Sequence, residues 1–266
     1  MQTNRAFAGL VQDAAADFFD RPSKERGSVL STARRNLDFM AIPGLRDVLA
    51  GHDVDLKDLK TEARGLSLYL CLPANRMGRG SRWLRLFINL ALDAMEQERA
   101  APDIPVLFVL DEFPVLGHLK QLEDAAGQIA GFGVCLWPIL QDLGQLKALY
   151  RERWQTFIGN SQFVQLFGNN DPETLSWVSD RLGTTTVVVE EIARTTHDQR
   201  QRGATGESLR LQVDKLLTGE EVARYFGRQA EQKRQLVIHG GGDPLILGRV
   251  NYDEANFLQG AFDPAD

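Results

Sequence analysis

Cysteine and histidine are scarce in this chain of 266 residues, which has two of the first and four of the second. Cys71 and Cys135 sit inside apolar runs, "LSLYLCLP" and "VCLWPIL", with no CxxC and no nearby histidine to complete a metal site. Both read as reduced core residues, and the scattered His52, His118, His197 and His239 exclude a structural zinc site. No run reaches about 18 consecutive apolar residues, which excludes a membrane-spanning helix in the sequence given. The opening "MQTNRAFAGLVQDAAADFF" breaks every apolar run with a polar residue, unlike a secretory signal peptide. The chain as given is therefore expected in the cytoplasm. Basic residues are outnumbered, 30 Lys and Arg against 36 Asp and Glu, for a net charge of −6. That balance argues against clamping DNA unaided, because such affinity rests on phosphate neutralisation, but it leaves room for a locally basic channel in an oligomer.

What is present is an ordinary globular composition, 43% hydrophobic and 25% charged, in a length that suits one large or two small domains. Phe7, Leu10, Val11, Ala14, Ala15, Phe18 and Phe19 recur at helical spacing until Pro22. A second helix is predicted from Ser23 through Leu37, and a third over "IPGLRDVLAG", closed by Gly51. From Leu66 the pattern changes. "LSLYLCLP" predicts a strand covered on both faces, followed by a long helix with Trp83, Leu84, Phe87, Ile88, Ala91, Leu92 and Met95 on one stripe.

Strands at Val106–Leu110 and Val134–Leu140 flank a helix over Leu119–Ile129, and the alternation runs on through "QFVQLFG", "DPETLSWVSDRLG" and "TTTVVVEEI". Alternation of this kind implies an α/β fold with a parallel sheet. Residues 193–210 are polar and aperiodic, and predict a mobile loop. "QLVIH" and "LILGRVNY" close the chain as strands joined by a hairpin through Gly240–Gly242, which precedes a strand and so is no phosphate loop. Trp83, Trp137, Trp154 and Trp177 are expected to pack in the core, base stacking being the lesser alternative.

The chemistry concentrates in "VLFVLDEF", a strand that runs straight into Asp111 and Glu112. An acidic turn is a soluble exit from a core. The same pattern is also the Walker B element of nucleotide hydrolases, in which the first acid helps hold Mg2+ and the second orients the attacking water. The next strand leads into Gln141, either a solvent-facing polar residue or a group placed to hydrogen-bond a phosphate or the lytic water, since strand ends converge on the ligand crevice of an open sheet.

The block from Val106 to Asn160, together with "ERGSVLSTARRNLDFM", "YLCLP", "SRWLRLFINLAL", "FGNNDPETLSWVSDRLG" and "GRVNY", resembles the TraG/TraD-type coupling proteins of type IV secretion and conjugation, collinearly over nearly the whole chain. The resemblance implies a RecA-like P-loop NTPase core, incomplete here: residues 1–60 as the end of an inserted all-α domain and 61–266 as the C-terminal part of the motor domain. It further implies a membrane-anchored homo-hexamer at the cytoplasmic face of the bacterial inner membrane. There ATP and Mg2+ would drive delivery of a relaxase–DNA complex or an effector into the secretion channel, with relaxosome and accessory recognition proteins as partners. Asp111 would then hold Mg2+ through water, Glu112 would polarise the lytic water, and Gln141 would couple phosphate state to movement.

The departures are as informative. Nowhere does GxxxxGK(S/T) occur, so the loop that cradles phosphates is missing and an upstream P-loop half is required. No arginine lies between Glu112 and Gln141, where some family members carry an arginine finger, and anchor helices are absent from the sequence given. The chain is expected to be inactive alone. A P-loop strand would lie beside Val134–Leu140 in such folds, so that strand is expected to be unpaired on one side. The second reading is a non-hydrolytic interaction module, or a truncated remnant, that binds relaxosome or accessory proteins.

Overall fold

The computed structural model describes residues 3–4, 7–125, 127–192 and 207–261. They form two compact units, 1–138 and 139–266. The first contains α1 (Leu10–Asp20), α2 (Ser23–Leu37), α3 (Pro43–Ala50), the single turn α4 (Asp58–Thr61), α5 (Met77–Gln97), β1 (Val106–Leu110), α6 (Lys120–Ala125) and β2 (Val134–Pro138). Local signals set the early boundaries: Pro22 follows α1, Pro43 opens α3 with its preset φ, and Gly51 follows its end. Phe39, Leu45 and Trp83 form a buried cluster, with Leu70, Leu72 and Phe87 packed around it. Arg79 of α5 ties this cluster to the preceding turn by a two-pronged ion pair with Asp38, at 2.8 and 2.9 Å.

Residues 66–72, expected as a doubly covered strand, make no ladder with any described strand. Only one side of the run packs, through Leu68, Leu70 and Leu72, while Tyr69 and Cys71 face outward. Gly80 admits this packing, because a Cβ there would stand 2.6 Å from Leu72 Cδ1. The same alternation exposes Cys135, so both cysteines lie on the surface and not in the core. At the far end of α5, Lys60 Nζ donates to the carbonyls of Met95 and, at 2.7 Å, Glu98, satisfying acceptors that a helix terminus leaves open.

β1 and β2 pair in parallel, Leu107 opposite Cys135 and Val109 opposite Trp137. Parallel pairs are ordinarily covered on both faces. Here Leu107, Val109 and Trp137 remain 50%, 52% and 46% exposed, so Trp137 is not the core residue its apolar run suggested. Among the described residues β2 bonds to β1 alone, leaving its other edge open. An open apolar edge beside an uncovered apolar face promotes association. The isolated chain is expected to self-associate in sizing chromatography; a monodisperse monomer with fully protected amides across Val134–Pro138 would refute that expectation.

The second unit contains α7 (Leu143–Tyr150), α8 (Trp154–Asn160), β3 (Phe163–Leu166), α9 (Pro172–Leu182), β4 (Thr184–Ile192), β5 (Glu207–Lys215), α10 (Gly219–Tyr225), β6 (Arg234–His239) and β7 (Leu245–Gly248). Its strands pair antiparallel: β3–β6–β7 in one sheet and β4–β5 as a separate ribbon. Val178, Val222, Phe226, Leu236 and Ile238 form the buried core between the helices and the three-stranded sheet. The hairpin through Gly240–Gly242 is present as the sequence suggests. The loop expected at 193–210 is shorter at its end, because 207–210 belong to β5; the rest of it, 193–206, lies outside the described residues. β5 alternates apolar and polar residues with period two, and Val188, Leu209, Leu211 and Val213 line up, 63–76% exposed, on one face of the ribbon. A capping box, Thr218 with Glu221, starts α10 and holds the Glu221 carboxyl below its usual range through hydrogen bonds from Thr218.

Candidate functional site

β1 buries its last residue, Leu110, and delivers Asp111 and Glu112 exposed at its carboxyl end, the end at which open α/β sheets bind ligands. Glu112 stands at φ 47°, ψ 44°, in the left-handed region. A side chain with a Cβ resists that conformation, and such strain persists only where the surroundings dictate it. Here they do. Phe113 is 0% exposed, Leu116 5%, Leu119 1% and Leu122 0%, so the segment after Glu112 is pinned by four apolar anchors. α5 adds a polar clamp: Arg85 Nη2 donates to the His118 carbonyl at 3.1 Å, lying against Gly117, whose φ is +67°. His118 Nε2 meets the buried Glu123 Oε2 at 2.5 Å. Asp111 Oδ1 accepts from the Glu112 amide at 3.0 Å, fixing the two acids to one another.

The strain can be measured. Both Glu112→Gly and Glu112→Ala remove the carboxylate, yet glycine adopts the left-handed region freely while alanine loses about 1 kcal/mol there. The Gly variant is expected to be the more stable of the two in urea denaturation, the reverse of the usual order. An Ala variant as stable as the Gly variant would mean that the turn is relaxed.

Among the described residues no group of three or more His, Cys, Asp or Glu could hold a metal by itself. An exposed Asp111 carboxylate at a strand end is nevertheless a fitting donor for Mg2+, which keeps much of its water and takes one or two carboxylates together with phosphate oxygens. The residues thus fit a nucleotide-borne ion and not a protein cage.

Gln141 follows β2 by three residues and belongs to the second unit, whereas Asp111 and Glu112 are neighbours in the first. Its backbone is held on both sides: the amide donates to Gln145 Oε1 at 3.1 Å and the carbonyl accepts from Asn169 Nδ2 at 2.8 Å. Its exposed side chain makes no hydrogen bond to a described residue. Asp142 caps α7 by accepting from the Gln145 amide at 2.8 Å. Arg85, His118, Glu123 and Asn169 were not found by motif reasoning: Arg85 and Asn169 act on partners 33 and 28 residues away, and no motif marks the pairing of His118 with Glu123.

The family described as Type IV secretory system Conjugative DNA transfer matches residues 3–262. Conjugal transfer protein TraG of Escherichia coli is 31% identical over 260 residues, which cover 90% of this chain and 40% of that protein. The type IV secretion system-coupling protein VirD4 of Bartonella henselae is 24% identical over 245 residues, covering 91% of this chain and 37% of that one. The chain therefore spans well under half the length of these relatives. Among solved structures, the bacterial conjugative coupling protein TrwB in complex with sulphate superposes with a TM-score of 0.64 at 18% identity, over 86% of this chain and 50% of that chain. TrwB in complex with ADP and Mg2+ gives 0.63 at 17% identity, with the same coverage. At such identity the likeness carries the fold, which is RecA-like.

Proposed function

The chain belongs to the type IV secretory system conjugative DNA transfer family, and from that premise we propose that it is the C-terminal motor part of a coupling protein, acting in ATP-driven delivery of DNA–relaxase or effector substrates. The observation that carries this reading is Glu112, held in a strained left-handed turn beside Asp111 at the carboxyl end of β1. Strain kept by four buried anchors at an exposed acid pair is poorly explained as a mere strand exit. Mg2+ and ATP, when bound, supply the phosphoryl group and the charge neutralisation for its transfer. Asp111 would hold the hydrated ion, Glu112 would orient and polarise the attacking water, and Gln141 would read the phosphate state through its side-chain amide.

The phosphate cradle itself comes from an upstream P-loop half, because this chain has no GxxxxGK(S/T). In this reading residues 1–60 close an inserted all-α domain and 61–266 belong to the motor. The whole protein assembles as a hexamer at the cytoplasmic face of the inner membrane, with relaxosome, accessory and channel partners. No helix among the described residues is long and apolar enough to cross a membrane. One feature favours the second reading, a non-hydrolytic interaction module: the exposed apolar face of the β4–β5 ribbon, which offers a surface to an accessory protein.

The purified chain is expected to show no ATP turnover, and mixing it with a P-loop half from the same locus is expected to restore it. Turnover by the chain alone that disappears in Glu112→Gln would overturn the division of labour. Absence of turnover in the mixture, with an accessory protein still captured, would favour the interaction module.

A further inference from the structure

Gln141 is useful as a reporter only if its backbone stays still while its side chain remains free, and the second unit is built that way. β3 ends at Leu166, and the segment beyond it is fixed where the Gly168 amide donates to the Phe226 carbonyl at 2.7 Å. From that fixed point Asn169 Nδ2 reaches the Gln141 carbonyl, 28 residues away in sequence, at 2.8 Å. Two residues past Gln141, the Leu143 amide donates to Thr174 Oγ1 at 3.0 Å, with Leu143 5% and Thr174 1% exposed. Thr174 is held in turn by its own amide donating to Asp171 Oδ2 at 2.7 Å. Asp142 already caps α7 through Gln145, so the bond from Leu143 to α9 is an additional link between two helix N-termini.

We infer that Asn169 and Thr174 are positioning residues for Gln141, locking the backbone of 141–143 to the start of α9 so that any displacement of the Gln141 side chain on phosphate release is passed to α9. The inference rests on the reading of Gln141 as a phosphate sensor. Neither residue touches the reacting atoms. Their work is mechanical: one neutral donor and one buried hydroxyl remove the freedom of the loop, while the side-chain carboxamide of Gln141 is bonded to no described residue.

The test has two arms. In the chain as purified, Thr174→Val, which deletes the hydroxyl at nearly constant shape, is expected to speed exchange of the Leu143 amide by about tenfold, the effect of losing its hydrogen bond. Asn169→Asp, which replaces the donor to the Gln141 carbonyl by a second acceptor, is expected to speed exchange of the Gln141 amide by loosening the loop that holds it against Gln145. Thr174→Ser should exchange like the wild type. In the assembly with the P-loop half, the same two variants are expected to lower kcat about tenfold at unchanged KM for ATP, with Thr174→Ser restoring it. Unchanged exchange in Asn169→Asp overturns the inference, and so does faster exchange with an unchanged kcat, since the contacts would then be structural only. A wild-type assembly without turnover instead defeats the proposed function, and the exchange arm still decides whether these residues hold the loop.

Discussion

Replacing Glu112 by Gln is expected to lower ATP turnover of the P-loop-complemented assembly by a factor of about 100 to 1,000, the range seen when one preorganised group at the reacting centre is removed. The substitution preserves shape and hydrogen-bonding reach but removes the charge that polarises water. Binding of the nucleotide depends on the P-loop half, so KM for ATP should change little, and the loss should fall on kcat. Asp111→Ala is expected to be as severe by a different route. It removes an oxygen donor for Mg2+, and its loss should be partly recovered at high Mg2+, whereas that of Glu112→Gln should not. Steady-state rates across a Mg2+ titration separate the two roles. Turnover indifferent to both changes would show that the acids are only the soluble end of a strand.

Phe113→Ala is expected to be the most destabilising single change in the first unit. Its ring is 0% exposed and directly follows the strained residue, so truncation both opens a cavity and frees the turn. Buried Phe-to-Ala changes cost about 3–5 kcal/mol, against a total stability of about 5–15 kcal/mol for a typical domain. Leu122→Ala, also 0% exposed but further along, should cost about 2–5 kcal/mol by the same cavity argument. Denaturant midpoints measure both losses, and a Phe113→Ala protein with an unchanged midpoint would mean that the turn is not held by its anchors. The distinction matters for function, because Arg85, Gly117 and the four apolar anchors hold the segment that follows Glu112.

Much of the site was readable from local pattern. "VLFVLDEF" specifies a strand with two acids at its end, Pro22 and Pro43 mark helix boundaries, and Gly240–Gly242 mark a hairpin, because each signal acts through residues adjacent in the chain. The period-two alternation of Glu207–Lys215 was equally local, though it lies against a polar stretch that reads as loop.

Other features depended on residues that meet only after folding. "LSLYLCLP" has the composition of a buried strand, yet a strand needs a neighbour to bond with, and among the described residues Leu66–Leu72 has none; half of its side chains, Cys71 included, therefore face outward. Strand and helix alternation predicts direction only where successive strands lie side by side, as β1 and β2 do; β3 instead finds β6, some 70 residues later, running the other way. The left-handed backbone of Glu112 is likewise invisible in a motif, because it is imposed by Phe113, Leu116, Leu119 and Leu122 entering the core together, and the clamp on Gln141 by Asn169 and Thr174 arises from a contact across 28 or more residues. Periodicity, caps and breakers act over one or two turns and belong to the sequence; cover, strand partners and strain are set by long-range packing, and only the tertiary structure decides them.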